Sequence, residues 1–114
     1  MEIVKKTDNI TAADLFGMTK GPDVRKMTDA KGEILDILSY VIYKDEKEDQ
    51  DPVTVLSVKT VDGVMYATNS KTFIRNFADI LAMYDECGEE APTRFKVGFA
   101  RSNAGREYLT CTVG

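Results

Sequence analysis

Histidine and tryptophan are both absent from this chain of 114 residues. Without histidine, the chain cannot form a histidine-containing zinc site, a histidine-based catalytic triad or a histidine general base. The acid pairs Asp45/Glu46 and Glu48/Asp49 lie in a charged loop that lacks the apolar pocket needed for general acid–base catalysis. We therefore expect a protein that is not an enzyme and that has no catalytic residues, no cofactor and no metal site.

Cysteine is scarce as well, since the chain contains two residues, which are too few for a disulfide framework. Cys87 lies at the end of a predicted helix and Cys111 in a predicted strand, so we expect two free thiols. No apolar run approaches the roughly 18 residues that span a bilayer. The first residues also lack the basic-then-apolar pattern of a signal peptide. These absences predict a cytoplasmic protein without a membrane partner.

The net charge of −4 is unevenly distributed along the chain. Residues 33–92 carry five Lys/Arg against thirteen acids, whereas residues 93–114 carry four Lys/Arg against one glutamate. The local concentration of charge matters more than the total for recognition of a polyanion. The C-terminal part is therefore the favoured location for a nucleic-acid-binding surface.

Residues 72–86, TFIRNFADILAMYDE, predict one long amphipathic helix. Their apolar side chains recur at spacings of three and four residues, which places them on one helix face. Ser70 or Thr72 can cap the start, and Gly88 followed by Pro92 favours an end after residue 86.

Alternating apolar residues predict three strands before this helix and two after it. The predicted strands cover residues 33–44, 53–61, 64–68, 94–101 and 106–113. A helix over residues 33–41 is the alternative for the first strand. The order β-β-β-α-β-β is that of a five-stranded OB-fold barrel, which commonly binds oligonucleotides or oligosaccharides. We expect a mainly β, OB-fold-like domain over residues 33–114, preceded by an irregular N-terminal arm or lid with a short helix over residues 1–32.

The last predicted hairpin, RFKVGFARSNAGREYLTC, carries the most informative group of side chains. Cationic side chains follow a phosphate backbone, and aromatic rings stack on unpaired bases whatever the sequence. Strand alternation places Arg94, Lys96 and Tyr108 on the solvent face of this hairpin, and its turn is flanked by two arginines. The full set of candidate nucleic-acid-binding residues is Tyr43, Lys59, Tyr66, Arg94, Lys96, Arg101, Arg106 and Tyr108.

Three further segments occur in order along the chain: GPDVRKMTDAKG, YATNSKTFIRNF and SNAGREYLTCTV. In that order and spacing they resemble small single-stranded DNA-binding proteins of bacteriophages that infect Gram-positive bacteria. The resemblance runs from about Ile10 to Val113 and is sharpest in ATNSKTFIR and AGREYLTC. It implies an OB-fold protein that binds single-stranded DNA in the host cytoplasm, without sequence readout or catalysis, during phage DNA replication or recombination.

Single-stranded DNA is thus the expected partner. Replication proteins of the phage or host, and a second copy of the chain, stay open as further partners. The alternative function is a protein-interaction module, in which exposed strand edges of the same barrel bind another protein. RNA also stays open as a ligand, because stacking and phosphate contacts serve both nucleic acids.

Overall fold

The fold was analysed in a computed structural model that describes residues 1–46 and 49–114. Within these residues, the chain forms seven strands, two α-helices and one 3₁₀ turn. In chain order they are β1 (Glu2–Lys6), α1 (Ala12–Thr19), β2 (Arg25–Lys26), the 3₁₀ turn (Met27–Ala30), β3 (Ile34–Asp45), β4 (Val53–Thr60), β5 (Met65–Thr68), α2 (Lys71–Glu86), β6 (Arg94–Arg101) and β7 (Glu107–Val113).

The strands form one curled, mixed sheet that resembles half of a barrel. Its order is β2-β5-β4-β3-β6-β7, with β1 paired to β3 outside this path. The β2–β5 pair is parallel and the other pairs are antiparallel. β3 is the strand that connects the two halves, because β6 pairs with its start, β1 with its end, and β4 with most of its length.

A register shift in β3 lies between Ile37 and Ser39, where it leaves Leu38 without a partner in β4. Extra residues of this kind bend a strand and increase its twist. The shift falls just after residues 34–36, which pair with β6. A single twelve-residue strand can therefore serve both halves of the curled sheet.

The prediction of a mainly β, barrel-like fold is confirmed, but its strand number and order are wrong. The order β-β-β-α-β-β occurs from β3 onward, and β1 and β2 precede it in a segment predicted to be irregular. All five residues of β1, EIVKK, are exposed. Because neither side of β1 is buried, its sequence lacks the alternation of apolar and polar residues that predicts a strand. The helix alternative for residues 33–41 is also wrong.

The curled sheet does not close into a barrel. Among the described residues, β5 pairs with β4 and β2, and β7 pairs with β6 alone. Helix α2 packs beside β7, where the side-chain oxygen of Asn76 accepts a hydrogen bond from the Cys111 backbone N–H at 3.3 Å. This contact satisfies one donor on the free edge of β7 and keeps the helix against the sheet.

The main core lies between the concave side of the sheet and α2. Phe73, Phe77 and Leu81 follow at spacings of four residues and are buried. The Phe77 ring is fully buried, with its centroid 5.0 Å from that of Tyr40 and 4.8 Å from that of Phe95. Edge-to-face and tilted aromatic contacts at these distances are favourable. Phe77 thus joins α2 to β3 and β6.

The opposite side of the sheet is covered by α1, which occupies the segment where the sequence predicts a short helix. Met18 of α1 packs against Val41 and Tyr43 of β3 in a second, smaller cluster. The helix begins with a reciprocal cap, in which the Thr11 hydroxyl accepts from the Asp14 N–H and the Asp14 carboxylate accepts from the Thr11 N–H. Both faces of β3 are therefore buried along its second half.

We expect Phe77→Ala to lower the free energy of unfolding by about 3–5 kcal/mol, because it removes a buried ring and leaves a cavity. Urea unfolding followed by circular dichroism measures this change. Met83→Ala is the matched control on the same helix, since the Met83 side chain is 62% exposed. The assigned packing would be contradicted if the two variants lost similar stability.

Candidate nucleic-acid interface

The β6–β7 hairpin presents one continuous solvent-facing surface. Lys96 pairs with Thr112, Gly98 with Thr110, and Ala100 with Tyr108, so these residues share a face. Arg94, two positions before Lys96, lies on the same face, and both cations are exposed. The Tyr108 side chain is 40% exposed.

Gly98 lies in the middle of this face, opposite Thr110. A Cβ atom at position 98 would lie 2.7 Å from the hydroxyl of Thr110, which is too close for a real contact. With glycine there, no side chain rises from the middle of β6 between Lys96 and Tyr108. The Thr110 side chain occupies the space above Gly98, so glycine here permits close packing within the hairpin.

The hairpin turn holds two arginines in place. Gly105 adopts φ +80, a left-handed conformation that glycine supplies without strain. The Arg106 N–H donates to the Ser102 hydroxyl at 3.2 Å, and the Ser102 N–H donates to the Arg106 carbonyl at 2.8 Å. These bonds bring Arg101 and Arg106 to the two sides of one ordered turn.

The four cations of this hairpin stay outside the ion pairs that the described part of the chain contains. Those pairs are Lys20–Asp45, Lys31–Glu107, Lys44–Glu2 and Lys59–Asp14. Arg94, Lys96, Arg101 and Arg106 are all exposed, and Asp36, opposite Arg94 in the ladder, is not within ion-pair distance of it. Their charge is thus open to an external anion.

Three of the eight predicted binding residues lie elsewhere. Tyr43 is 5% exposed beneath α1, and Tyr66 is 8% exposed in the main core. The Nζ of Lys59 lies 3.2 Å from the Asp14 carboxylate of α1. Strand alternation shows which residues lie on the same face of the sheet. It does not show that α1 covers one face and α2 the other. The other five, Arg94, Lys96, Arg101, Arg106 and Tyr108, lie on the β6–β7 hairpin. Arg101 is on the face opposite Arg94, Lys96 and Tyr108.

Phe99 is an exposed aromatic residue, although strand alternation places it on the same side as the buried Phe95 and Val97. Phe99 is 53% exposed, although Leu109, opposite it in β7, is buried in the main core. The Nζ of Lys31 lies 4.5 Å from the centroid of the Phe99 ring. Phe99 lies two residues before the end of β6, and this position near a strand end is the sequence feature that could have indicated its exposure.

Lys31 also connects the 3₁₀ turn region to β7 through its ion pair with Glu107. The hydrogen bond from Lys31 lowers the pKa of the Glu107 carboxyl, and the charges of Lys31 and Arg101 act in the same direction. Glu107 forms its ion pair with Lys31, and its charge also acts on Arg101, which lies opposite it in the ladder.

The two thiols differ in their surroundings. Both cysteines are free, with Cys87 exposed and Cys111 buried. Burial raises the pKa of the Cys111 thiol to about 12, so this group stays protonated at neutral pH. No cluster of three or more His, Cys, Asp or Glu side chains suited to a metal ion occurs in residues 1–46 and 49–114. Lys47 and Glu48 of the predicted acidic loop lie outside the described residues.

Comparison of the chain with protein-family models, with curated proteins and with solved structures gives no match. Neither of the helices that the structure describes is long and apolar enough to cross a bilayer.

The Asp14 carboxylate, which caps α1 and pairs with Lys59, should make the stability of the fold depend on pH. Its pKa is lowered by the backbone N–H and hydroxyl of Thr11 and by Lys59. A carboxyl with a lowered pKa in the folded state stabilises that state above its unfolded pKa, and the effect disappears as the pH falls through the folded value. We expect Asp14→Asn to be less stable than the parent near pH 7, with the difference disappearing at a pH well below the ordinary aspartate pKa of about 3.9.

Urea unfolding at both pH values measures this difference. Asp79→Asn, at an exposed position of α2, is the control for removal of a carboxylate outside any described ion pair. A loss of stability for Asp14→Asn that is equal at both pH values would contradict the assigned role of its charge.

Proposed function

We propose that the protein binds single-stranded DNA without catalysis and largely without sequence readout, in the cytoplasm, during phage DNA replication or recombination. The observation that carries the proposal is the β6–β7 hairpin. It holds four exposed cations outside the described ion pairs, and it also exposes the rings of Tyr108 and Phe99. The resemblance of three chain segments to phage single-stranded DNA-binding proteins supports the same function.

The chemistry of the hairpin favours a single strand over a duplex. Arginine and lysine attract phosphates in either form, and this attraction weakens with salt because counterions are released on binding. An aromatic ring can stack only on a base whose face is open, which a paired and stacked duplex does not offer. Tyr108 can stack in this way because its ring is partly exposed, whereas Tyr43 and Tyr66 are buried.

The order and pairing of the strands also support the proposal. We interpret residues 33–114 as an OB-like barrel that stays open, because among the described residues β5 pairs with β2 rather than with β7. The order of elements from β3 onward and the pairing of the long β3 with both β4 and β6 favour this interpretation. In OB folds, the loop between the last two strands commonly contacts the oligonucleotide. Here that loop is the turn between Arg101 and Arg106.

The free edge of β1 favours a protein-interaction module as the second candidate. β1 pairs with β3 along one side, and the Ile3 and Val4 side chains are 39% and 55% exposed. Exposed edge strands can pair with a strand of another protein or of a second copy. Association that is insensitive to salt and independent of DNA, measured by light scattering, would support this candidate.

Fluorescence anisotropy with a labelled oligo-dT, at about 50 and about 200 mM salt, tests the proposed function. We expect tight binding that weakens steeply with salt and that a duplex of equal length does not match. Absence of binding at the lower salt would overturn the proposal and leave the protein-interaction module.

Two variants test the roles of the hairpin side chains. Tyr108→Ala should weaken binding by about 1–3 kcal/mol, because it removes one stacked base, while the salt dependence stays the same. Arg106→Ala should instead reduce the slope of log affinity against log salt by about 0.7, the value for one phosphate contact in a single strand. Tyr84→Ala, in the last turn of α2, and Lys5→Ala, in β1, are controls that should change neither quantity.

A further inference from the structure

Three depressions follow one another on the side of the molecule that contains the 3₁₀ turn. The first, of about 360 Å³, lies beside the hairpin and is lined by Thr28, Asp29, Lys31, Glu107, Tyr108 and Leu109. The second, of about 370 Å³, extends from Thr28 to Asn69. The third, of about 520 Å³, extends from Asn69 to the first turns of α2. Because Thr28 and Asn69 each line two depressions, the three adjoin, and we call them together the groove. It begins at the hairpin face that carries Glu107 and Leu109, opposite the face of Lys96.

The local structure explains why this groove exists. β2 runs parallel to β5, with Lys26 opposite Ala67, so the 3₁₀ turn lies next to the end of β5. The Ser70 N–H donates to the Thr68 hydroxyl at 3.0 Å, and the Ser70 hydroxyl accepts from the Phe73 N–H at 3.3 Å. These bonds fix the bend from β5 into α2 and leave Asn69 exposed between them.

The walls of the second and third depressions are cationic. Lys26, Lys71 and Arg75 are exposed, and each lies outside the ion pairs found among the described residues. Lys71 and Arg75 are four residues apart on α2, so they project from the same helix face. Asp51 is the acid that lines this part of the groove, which leaves an excess of positive charge.

The floor of the same depressions is largely apolar. Val55 and Met27 line the second, and Val53, Pro52 and Ile74 line the third. Cations beside an apolar floor match the two parts of a nucleotide, because a phosphate needs positive charge and a base face needs a nonpolar surface. An uncharged small molecule would not use the three cations.

We propose that this groove carries the continuation of a nucleic-acid single strand whose first part is bound at the β6–β7 hairpin. The proposal rests on the proposed function and extends it from the hairpin across the 3₁₀ turn to α2. The binding residues that it adds are Lys26, Asn69, Lys71 and Arg75. A strand that fills both parts is longer than one that fills the hairpin alone, so the two parts are separable by oligonucleotide length.

The test compares a Lys71→Ala/Arg75→Ala double variant with the parent protein, using oligo-dT of about 6 and about 16 nucleotides, the range covered by one OB fold. For the longer oligonucleotide, we expect at least a tenfold loss of affinity and a decrease of about 1.4 in the salt slope, since two phosphate contacts are lost. For the shorter one, which the hairpin alone can hold, affinity should stay within twofold of the parent.

The matched control is Lys5→Ala/Lys6→Ala, which removes two exposed lysines from β1, a strand that does not line the groove. It should bind both oligonucleotides like the parent. Urea unfolding of every variant excludes loss of the fold as the cause of a change. Comparable loss in the control and in the α2 variant would mean that total charge, not the groove, determines affinity, and it would overturn the inference.

Other outcomes separate this inference from the proposed function. If Arg106→Ala weakens binding of the longer oligonucleotide but the α2 double variant does not, the hairpin site stands and the groove is overturned. Equal losses at both oligonucleotide lengths would also overturn the groove as a continuation, because Lys71 and Arg75 would then act within the first site. If the parent protein binds neither oligonucleotide, both the proposed function and the groove are overturned.

Discussion

The packing of Phe77 against Tyr40 and Phe95 is the contact on which the rest of the structure depends. Tyr40 belongs to the part of β3 that pairs with β4, and Phe95 lies in β6, opposite Leu35. One ring on α2 therefore holds together the two halves of a sheet that does not close through strand pairing. The position of the β6–β7 hairpin, and hence of its cations, follows from this contact.

The sequence predicts the elements that obey a simple period. Helix α2 and strands β3 to β7 each have a clear apolar pattern, and Gly63, in the turn between β4 and β5, adopts φ +85. β1 and β2 escape such analysis because backbone pairing, rather than side-chain burial, holds them on the sheet: all of their residues are exposed. The alternation of side chains within a strand can be determined from a few neighbouring residues. The helices that cover each face of the sheet come from distant parts of the chain.

Lys59 illustrates the limit for the candidate site. Its place on β4 and its parity are readable from the sequence, but its partner Asp14 lies 45 residues earlier, on a helix that crosses the outer face. The same helix buries Tyr43, through contacts with Met18 that no short-range pattern encodes. The hairpin residues were easier to assign because their strands adjoin in sequence and their turn extends past any covering helix.

Among the described residues, some basic residues pair with acids and others do not, which explains how a chain with a net negative charge could bind a polyanion. Lys20, Lys44 and Lys59 pair with acids, so their charge is largely neutralised locally. Excess acid on other surfaces acts weakly on the hairpin, because salt screens exposed charges beyond about 8–10 Å. Lys31 also pairs with an acid, since its ion pair with Glu107 links the 3₁₀ turn to β7. Both residues line the first depression of the groove, beside the hairpin. The shape of the proposed binding path thus depends on a cation whose own charge is already satisfied.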